Sequence, residues 1–340
     1  MARRIAFAGF RHGHIMELYR HAGQHGDLEV VAACEEDGPT RSELQAAGQV
    51  QITHQSVDQL LDDVDFDILA IGDCFGRRGE LAIRALAQGR HVIADKPLCT
   101  RMGEVLEIER LARAQQRRVG CMLNMRDSGQ VLALRQLVQA GALGEVHAIA
   151  FSGQHPLMPE TRPGWYFEPG LHGGTITDIG IHAIDALPWI TGLEWQTVNA
   201  ARSWNAFVPA YPHFEDAAQM MLTLDNGCGV LGDVSYHAPD AMGYRAPQYW
   251  RMTFWGREGV AEVSVASDEV LLIGRHDREP QHLPLPVGRP AGYLEDFLSD
   301  LAGHAPAGGL DTNAVLDATR KAIRIQEAAN RGEREVSLRG

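Results

Sequence analysis

The sequence predicts an α/β protein: an N-terminal Rossmann domain with a doubly wound parallel sheet, then a C-terminal α+β domain on a large, mostly antiparallel open sheet. Three observations predict it. Short, continuous apolar runs alternate with helical patterns as far as Cys121, the pattern of strands covered on both faces. Past Met122 the runs lengthen and alternate in polarity, as half-exposed antiparallel strands do. The length of 340 residues, against about 150 per domain, allows two domains. The boundary is expected between 123 and 124, giving domains 1–123 and 124–340, with terminal helices that pack back on either.

Ile5–Ala8 forms the first strand, and Ile15, Leu18, Tyr19 and Ala22, at i, i+3, i+4 and i+7, give the next segment one apolar helical face. Leu28–Cys34 and Ile68–Ile71 are the next strands. A helix carrying Leu81, Ala82, Ala85 and Leu86 is closed by Gly89. His91–Ala94 follows, then a helix with Val105, Ile108, Leu111 and Ala112 that Thr100 is placed to cap, then Val119–Met122. In the second half a helix with Val131, Leu134 and Val138 ends at Gly141. Strands are expected at Met220–Leu224, Gly229–Tyr236, Tyr249–Trp255, Val260–Val265 and Val270–Ile273. Asp225-Asn226-Gly227 between the first two marks a tight hairpin. Helices around Leu294–Leu301 and Asn313–Ala329 complete the chain. The strand face carrying Trp250, Met252 and Phe254 is either a homodimer or homotetramer surface or core.

Composition narrows the function. With 31 basic against 44 acidic side chains, the formal charge of −13 argues against nucleic acid or an anionic membrane and for a small-molecule partner. Five scattered cysteines without a CxxC give neither a disulfide framework nor a cysteine zinc site, and fit a reducing cytoplasm. The apolar run after Arg4 is too short for a secretory signal, and no stretch approaches the roughly 18 residues that span a bilayer.

Three clusters carry chemistry. Gly9-Phe10-Arg11-His12-Gly13-His14, between a strand and a helix, is a degraded GxGxxG turn, the arrangement that aims helix N-terminal amides at a pyrophosphate. Glu35, with Glu36 beside it, stands where an acid reads the ribose hydroxyls and repels a 2′-phosphate, favouring NAD over NADP. Asp95-Lys96-Pro97 follows the fourth strand at the ligand-binding edge, where a lysine can donate to a substrate oxygen. Asp178 and His182 share a helical face, with Asp185 one turn on, amid Ile179, Ile181, Ile184 and Leu187. His155, Arg162, Trp165, Tyr166 and His172 supply an aromatic platform and polar neighbours for a sugar ring; Asn124 and Arg126 are further substrate candidates, and Tyr236 and His237 weaker ones. His172, Asp178 and His182 offer zinc-compatible donors but no ligand triplet of known spacing, so no metal is expected.

These clusters, in this order, resemble the glucose-fructose oxidoreductase, inositol dehydrogenase and rhizopine catabolism (Gfo/Idh/MocA) family over nearly the whole chain. The likeness rests on the Gly-rich turn, Glu35, Ala87-Gln88-Gly89-Arg90-His91-Val92 leading to Asp95-Lys96-Pro97, and Gly173-Gly174 before Asp178, Gly180, His182 and Asp185. Gly256 and Gly259 resemble the glycines of its late hairpin. The chain departs from it at Gly72-Asp73-Cys74-Phe75-Gly76-Arg77-Arg78, where the family has a Pro-containing turn near the cofactor, and at Arg11, His12 and His14, where small residues are usual. The resemblance implies an NAD(P)-dependent dehydrogenase of a sugar, cyclitol or polyol. It implies Lys96, Asp178 and His182 in the catalytic positions, with either Lys96 or His182 taking the proton. Two rivals stay open: an NAD-cycling hydrolase or lyase that releases no NADH, and a non-catalytic NAD-binding sensor.

Overall fold

The computed structural model describes residues 2–339. In chain order the first elements are β1 (Arg3–Ala8), α1 (Ile15–Gln24), β2 (Leu28–Cys34), α2 (Gly38–Ala47), α3 (Val57–Asp63), β3 (Ile68–Ile71), α4 (Phe75–Ala87), β4 (His91–Ala94), α5 (Met102–Ala114) and β5 (Val119–Cys121). Then come α6 (Gly129–Gln139), β6 (Val146–Pro156), α7 (Ile181–Thr191), β7 (Trp195–Trp204), β8 (Ala217–Leu224), β9 (Gly229–Ala238), β10 (Arg251–Gly256), β11 (Gly259–Ser264), β12 (Glu269–Gly274) and β13 (Gln281–Pro284). Helices α8 (Gly292–Leu301) and α9 (Thr312–Arg331) and strand β14 (Arg334–Ser337) end the chain.

The chain divides into two compact units. The first runs to Met122 and also takes Pro163–Gly173 and Ala291–Thr319; the second takes the rest. The segment 163–173, read from sequence as part of the second domain, therefore belongs with the first. Contacts within that unit hold it: the Trp165 indole donates to the Arg11 carbonyl at 3.1 Å, and the Gly76 amide donates to the Leu171 carbonyl at 2.9 Å.

The sheet of the first unit is parallel, in the order β2-β1-β3-β4-β5. Outside β2, His54 makes an isolated parallel bridge to Cys34. This pair of residues stands where the third strand of a classic dinucleotide sheet would lie, shrunk to a single bridge. The apolar runs are buried on both faces, as in β1, where Ile5, Ala6, Phe7 and Ala8 are wholly inaccessible. Helix α5 departs from expectation at its start: Arg101, not Thr100, is the N-cap, and no side chain caps it. The Thr100 amide instead donates to Glu104 Oε2 at 3.4 Å. Phe297 of α8 covers β5 so closely at Gly120 that a Cβ there would lie 2.7 Å from the ring.

The second unit is built on a nine-stranded sheet, β13-β12-β11-β10-β6-β9-β8-β7-β14, antiparallel except between β6 and β9. The β8–β9 hairpin turns at Asn226-Gly227, with φ +86° at Gly227 and the Asn226 side chain accepting from the Cys228 amide at 2.9 Å. Alternation along β10 decides the open question of its face. Met252 and Phe254 are buried with Trp250, so that face is core, and the exposed apolar stripe lies opposite, at Met221, Leu231 and Trp255. Met221 pairs directly with Leu231, and Leu231 with Ala150. Among the described residues no helix is long and apolar enough to cross a membrane.

Candidate functional site

Candidate residues fall in both units, which are described in turn. In the first, the strand order reverses between β1 and β3, the place where doubly wound sheets bind ligands. The turns leaving these two strands touch. Gly9 has φ +81°, and a Cβ on it would lie 2.7 Å from the Asp73 amide nitrogen; one on Gly72 would lie 2.5 Å from the Ile15 side chain and 2.7 Å from the Gly9 carbonyl. Glycine is required at both by close approach.

Glu35 is 2% exposed, and its oxygens accept from the amides of Phe10 at 2.6 Å and Asp37 at 2.7 Å. Burial pushes its carboxyl up, while the two amides oppose that shift. The predicted ribose reader thus locks the Gly-rich turn onto the end of β2. Around it, Arg11 faces Asp37 at 3.5 Å and Arg77 bonds Glu36 at 2.7 Å and Asp73 at 3.3 Å. Among the described residues, the amides of Arg11, Gly13 and His14 donate to no protein acceptor. Three such amides where α1 begins form a cradle for an anionic phosphate, so the turn fits a dinucleotide although two of its glycines are replaced.

Lys96 is 4% exposed and opens a cis peptide to Pro97. A residue the sequence reading passed over fixes this turn. The wholly buried Arg78 donates from Nε to the Asp73 carbonyl at 2.7 Å, and from Nη1 to the carbonyls of Asp95, Lys96 and Pro97. Its Nη2 reaches Asp95 Oδ2 at 3.0 Å. The Phe75 ring lies 4.6 Å from the guanidinium and 5.7 Å from Lys96 Nζ. A signal existed, because residue 78 falls on the same helical face as Phe75, Gly79 and Ala82, all buried. Asp95 also bonds His12 Nδ1 through Oδ2. Against its burial, His12 and Arg78 hold Asp95 well below the usual carboxylate range, whereas burial takes His12 down to about 4. At neutral pH a neutral imidazole therefore faces an ionised carboxylate.

The aromatic platform is assembled, but inward. Trp165 and Tyr166 are each 2% exposed, with Trp165 packed 4.9 Å from Phe75 and 4.3 Å from Tyr166. His172 continues the cluster, 5.2 Å from Tyr166 and 5.6 Å from Phe75. With its N–H given to Arg11, Trp165 braces the Gly-rich turn; it is not an open sugar platform.

In the second unit Asp178 lies in a π-turn, Ile176–Gly180, and His182 in the first turn of α7. The sequence reading placed both on a regular helix. The wider turn changes that register, and such turns are frequent at functional sites. Asp178, 2% exposed, accepts a hydrogen bond from the Tyr236 hydroxyl on β9, which promotes Tyr236 from a weak candidate to a partner of the site. The His182 ring lies 6.0 Å from Trp250. His155 lies 4.7 Å from Tyr249, 5.9 Å from Tyr244 and 6.2 Å from Tyr236, closing an aromatic wall. Burial first, then Tyr244 and Asp178, pushes the Tyr249 phenol up to about 12. Arg162 lies over Tyr236 and donates to the carbonyls of Leu157 and Pro156 at 2.9 and 2.8 Å.

Two substrate candidates are placed otherwise. Arg126 is 7% exposed and bidentate to Asp185, Nε to Oδ2 at 2.7 Å and Nη2 to Oδ1 at 2.6 Å, so it anchors α7 instead of facing a ligand. Asn124 is exposed at the start of the short 3₁₀ turn Asn124–Asp127. His237 turns from Asp178 to Asp216, at 3.0 Å.

Comparison with known proteins shows the family and the fold. Residues 3–123 match the model of the oxidoreductase family with an NAD-binding Rossmann fold, and 131–262 that of the GFO/IDH/MocA C-terminal domain. The rhizopine catabolism protein MocA of Rhizobium meliloti is 24% identical over 91% of this chain and 92% of its own. A levoglucosan dehydrogenase of Pseudarthrobacter phenanthrenivorans is 28% identical over 52% of this chain and 45% of its own. An inositol dehydrogenase homolog of Azotobacter vinelandii, solved with NAD+, shares the fold with a TM-score of 0.79 at 18% identity, covering 99% of this chain and 97% of that one. The chain belongs to the GFO/IDH/MocA family of NAD-binding oxidoreductases.

Proposed function

We propose that the protein is an NAD-dependent dehydrogenase acting on a hydroxyl-bearing carbon of a sugar, cyclitol or related polyol. The observation that carries the reading is the buried Asp178 carboxylate, held by the Tyr236 hydroxyl one helical turn before His182 and beside the aromatic wall of His155, Tyr244 and Tyr249. Apolar ring faces with converging polar groups suit a polyol, whose C–H faces are apolar and whose rim is hydroxyl. The names of the relatives, a rhizopine catabolism protein and a levoglucosan dehydrogenase, support the substrate class.

The roles follow from the side chains. The amides of Arg11, Gly13 and His14 bind the pyrophosphate. NAD, when bound, supplies the hydride acceptor. In the second unit His182 takes a substrate hydroxyl proton and Asp178 holds a neighbouring hydroxyl; in the first, Lys96 supplies an ammonium of the kind that stabilises alkoxide character. We place the protein in the cytoplasm, which suits its five buried free thiols. We assign the Met221, Leu231 and Trp255 stripe to a second copy of the chain.

The test is a panel of inositols, anhydrosugars and aldoses incubated with NAD, followed both at the nicotinamide absorbance and by product analysis. The expected result is net NADH with one substrate class, reduced about 100-fold or more by His182→Ala and by Lys96→Ala. Product without NADH would replace this reading with the cycling hydrolase or lyase. Absence of measurable NAD binding by calorimetry would remove it altogether.

A further inference from the structure

Among the described residues one group of side chains brings three metal-type donors together: His12, His14 and Asp95, whose ligand atoms all lie within 4.8 Å of one another. They come from two places in the first unit, the His-x-His of the turn after β1 and the residue that follows β4. Asp95 has no solvent exposure, and its two oxygens are unequal. Oδ2 is taken by Arg78 and His12. Oδ1 is buried without a hydrogen-bond partner and faces His14 Nδ1 at 3.7 Å. Leaving a carboxylate oxygen unsatisfied in the interior is costly, and a cation placed between it and the imidazoles would satisfy it.

We infer that His12, His14 and Asp95 form a binding site for a divalent transition-metal ion of the zinc class. Two imidazoles and a carboxylate are a borderline-soft set, suited to zinc or cobalt and poorly matched to magnesium or calcium, which favour oxygen ligands throughout. The His14 side chain is 54% exposed, which gives the ion a path from solvent and leaves a coordination position for water. Arg78 weakens the site by repulsion but sits on Oδ2, leaving Oδ1 to the metal. The site departs from the sequence reading, which expected no metal, and it does not depend on the dinucleotide reading.

The test uses the full-length protein stripped with a chelator, without NAD, titrated with Co2+ for its visible absorption and with Zn2+ by calorimetry. The expected result is one equivalent bound, with affinity lowered at least tenfold in both His14→Ala and His12→Asn and unchanged in His282→Ala, a distant exposed histidine. Circular dichroism establishes that each variant is folded; His14, being exposed, carries the test if His12→Asn does not fold. Absence of stoichiometric binding by the wild type, or equal binding by His14→Ala, overturns the assignment.

Discussion

Replacing Arg78 by methionine tests whether one guanidinium holds the Lys96 turn. The side chain is wholly buried and bonds four backbone carbonyls and the Asp95 carboxylate. Methionine fills comparable volume but leaves an ionised Asp95 in the interior with the imidazoles of His12 and His14 and no guanidinium beside it. Breaking a buried ion pair from one side costs about 3–5 kcal/mol. At roughly 2–4 °C per kcal/mol for a cooperative unit of this size, the melting point should fall by about 6–20 °C. Thermal unfolding by circular dichroism at neutral pH, on wild type, Arg78→Met, Asp95→Asn and the double variant, reads the effect. If the charge pair is the cause, Asp95→Asn relieves part of the penalty, and the double variant is about 2 kcal/mol more stable than the sum of the singles. Arg78→Lys should recover little, because an ammonium cannot reproduce the planar fork that reaches several carbonyls at once. A melting point for Arg78→Met within about 2 °C of wild type, or strict additivity of the two changes, would refute the reasoning.

Tyr236→Phe removes a donor to Asp178 and should lower kcat/KM about 10- to 100-fold while the fold survives, read by steady-state kinetics on whichever substrate the panel yields. Leu231→Asp places a charge in the exposed stripe opposite Met221, and light scattering should show the assembly reduced to monomer with the melting point of the isolated chain little changed. His91 predicts an acid limb of stability. Its Nδ1 accepts from the Arg118 amide at 2.9 Å, and burial, with Arg117, Arg3 and Arg118 nearby and Asp67 opposing, lowers its pKa from 6.5 to about 4. The unfolded chain binds this proton below 6.5 and the folded chain only near 4, so stability falls as pH drops through that window, by about 2 kcal/mol. Denaturant titrations from pH 7 to pH 4 should show a shallower loss in His91→Gln than in wild type.

The parallel sheet was legible because its strands are buried on both faces and so read as unbroken apolar runs, Ile68–Ile71 being the clearest. Strand β6 was not. It sits at the centre of the second sheet, yet Ser152, Gly153 and Gln154 interrupt its pattern, because Gly153 lies against Trp250 and Ile179 and its neighbours face outward. The bridge at His54 was invisible because a single bridged residue leaves no periodicity. At the candidate site, Lys96, Asp178 and Glu35 were singled out by type and position, but what each touches was not readable. Spacing showed neither the π-turn under Asp178 nor that Glu35 would be taken up by two amides. Arg78 was passed over and Arg126 was read as a substrate contact for one reason: arginine in a sequence reads as surface or ligand, whereas each here is spent on a buried acceptor.

The first unit is made from three separated stretches of chain, and this sets an order on its biosynthesis. When Met122 leaves the ribosome, all five strands of the parallel sheet exist, but Trp165 and the helix that lays Phe297 over Gly120 have not been made. At about 5–20 residues per second the last of these follows some 10–30 s later. Through that interval the outer strand is open to solvent and to chaperones, and the nascent half waits for its own C-terminal lid. A fragment ending at Met122 should therefore be insoluble when expressed alone, and soluble once a segment carrying Ala291–Thr319 is supplied in trans.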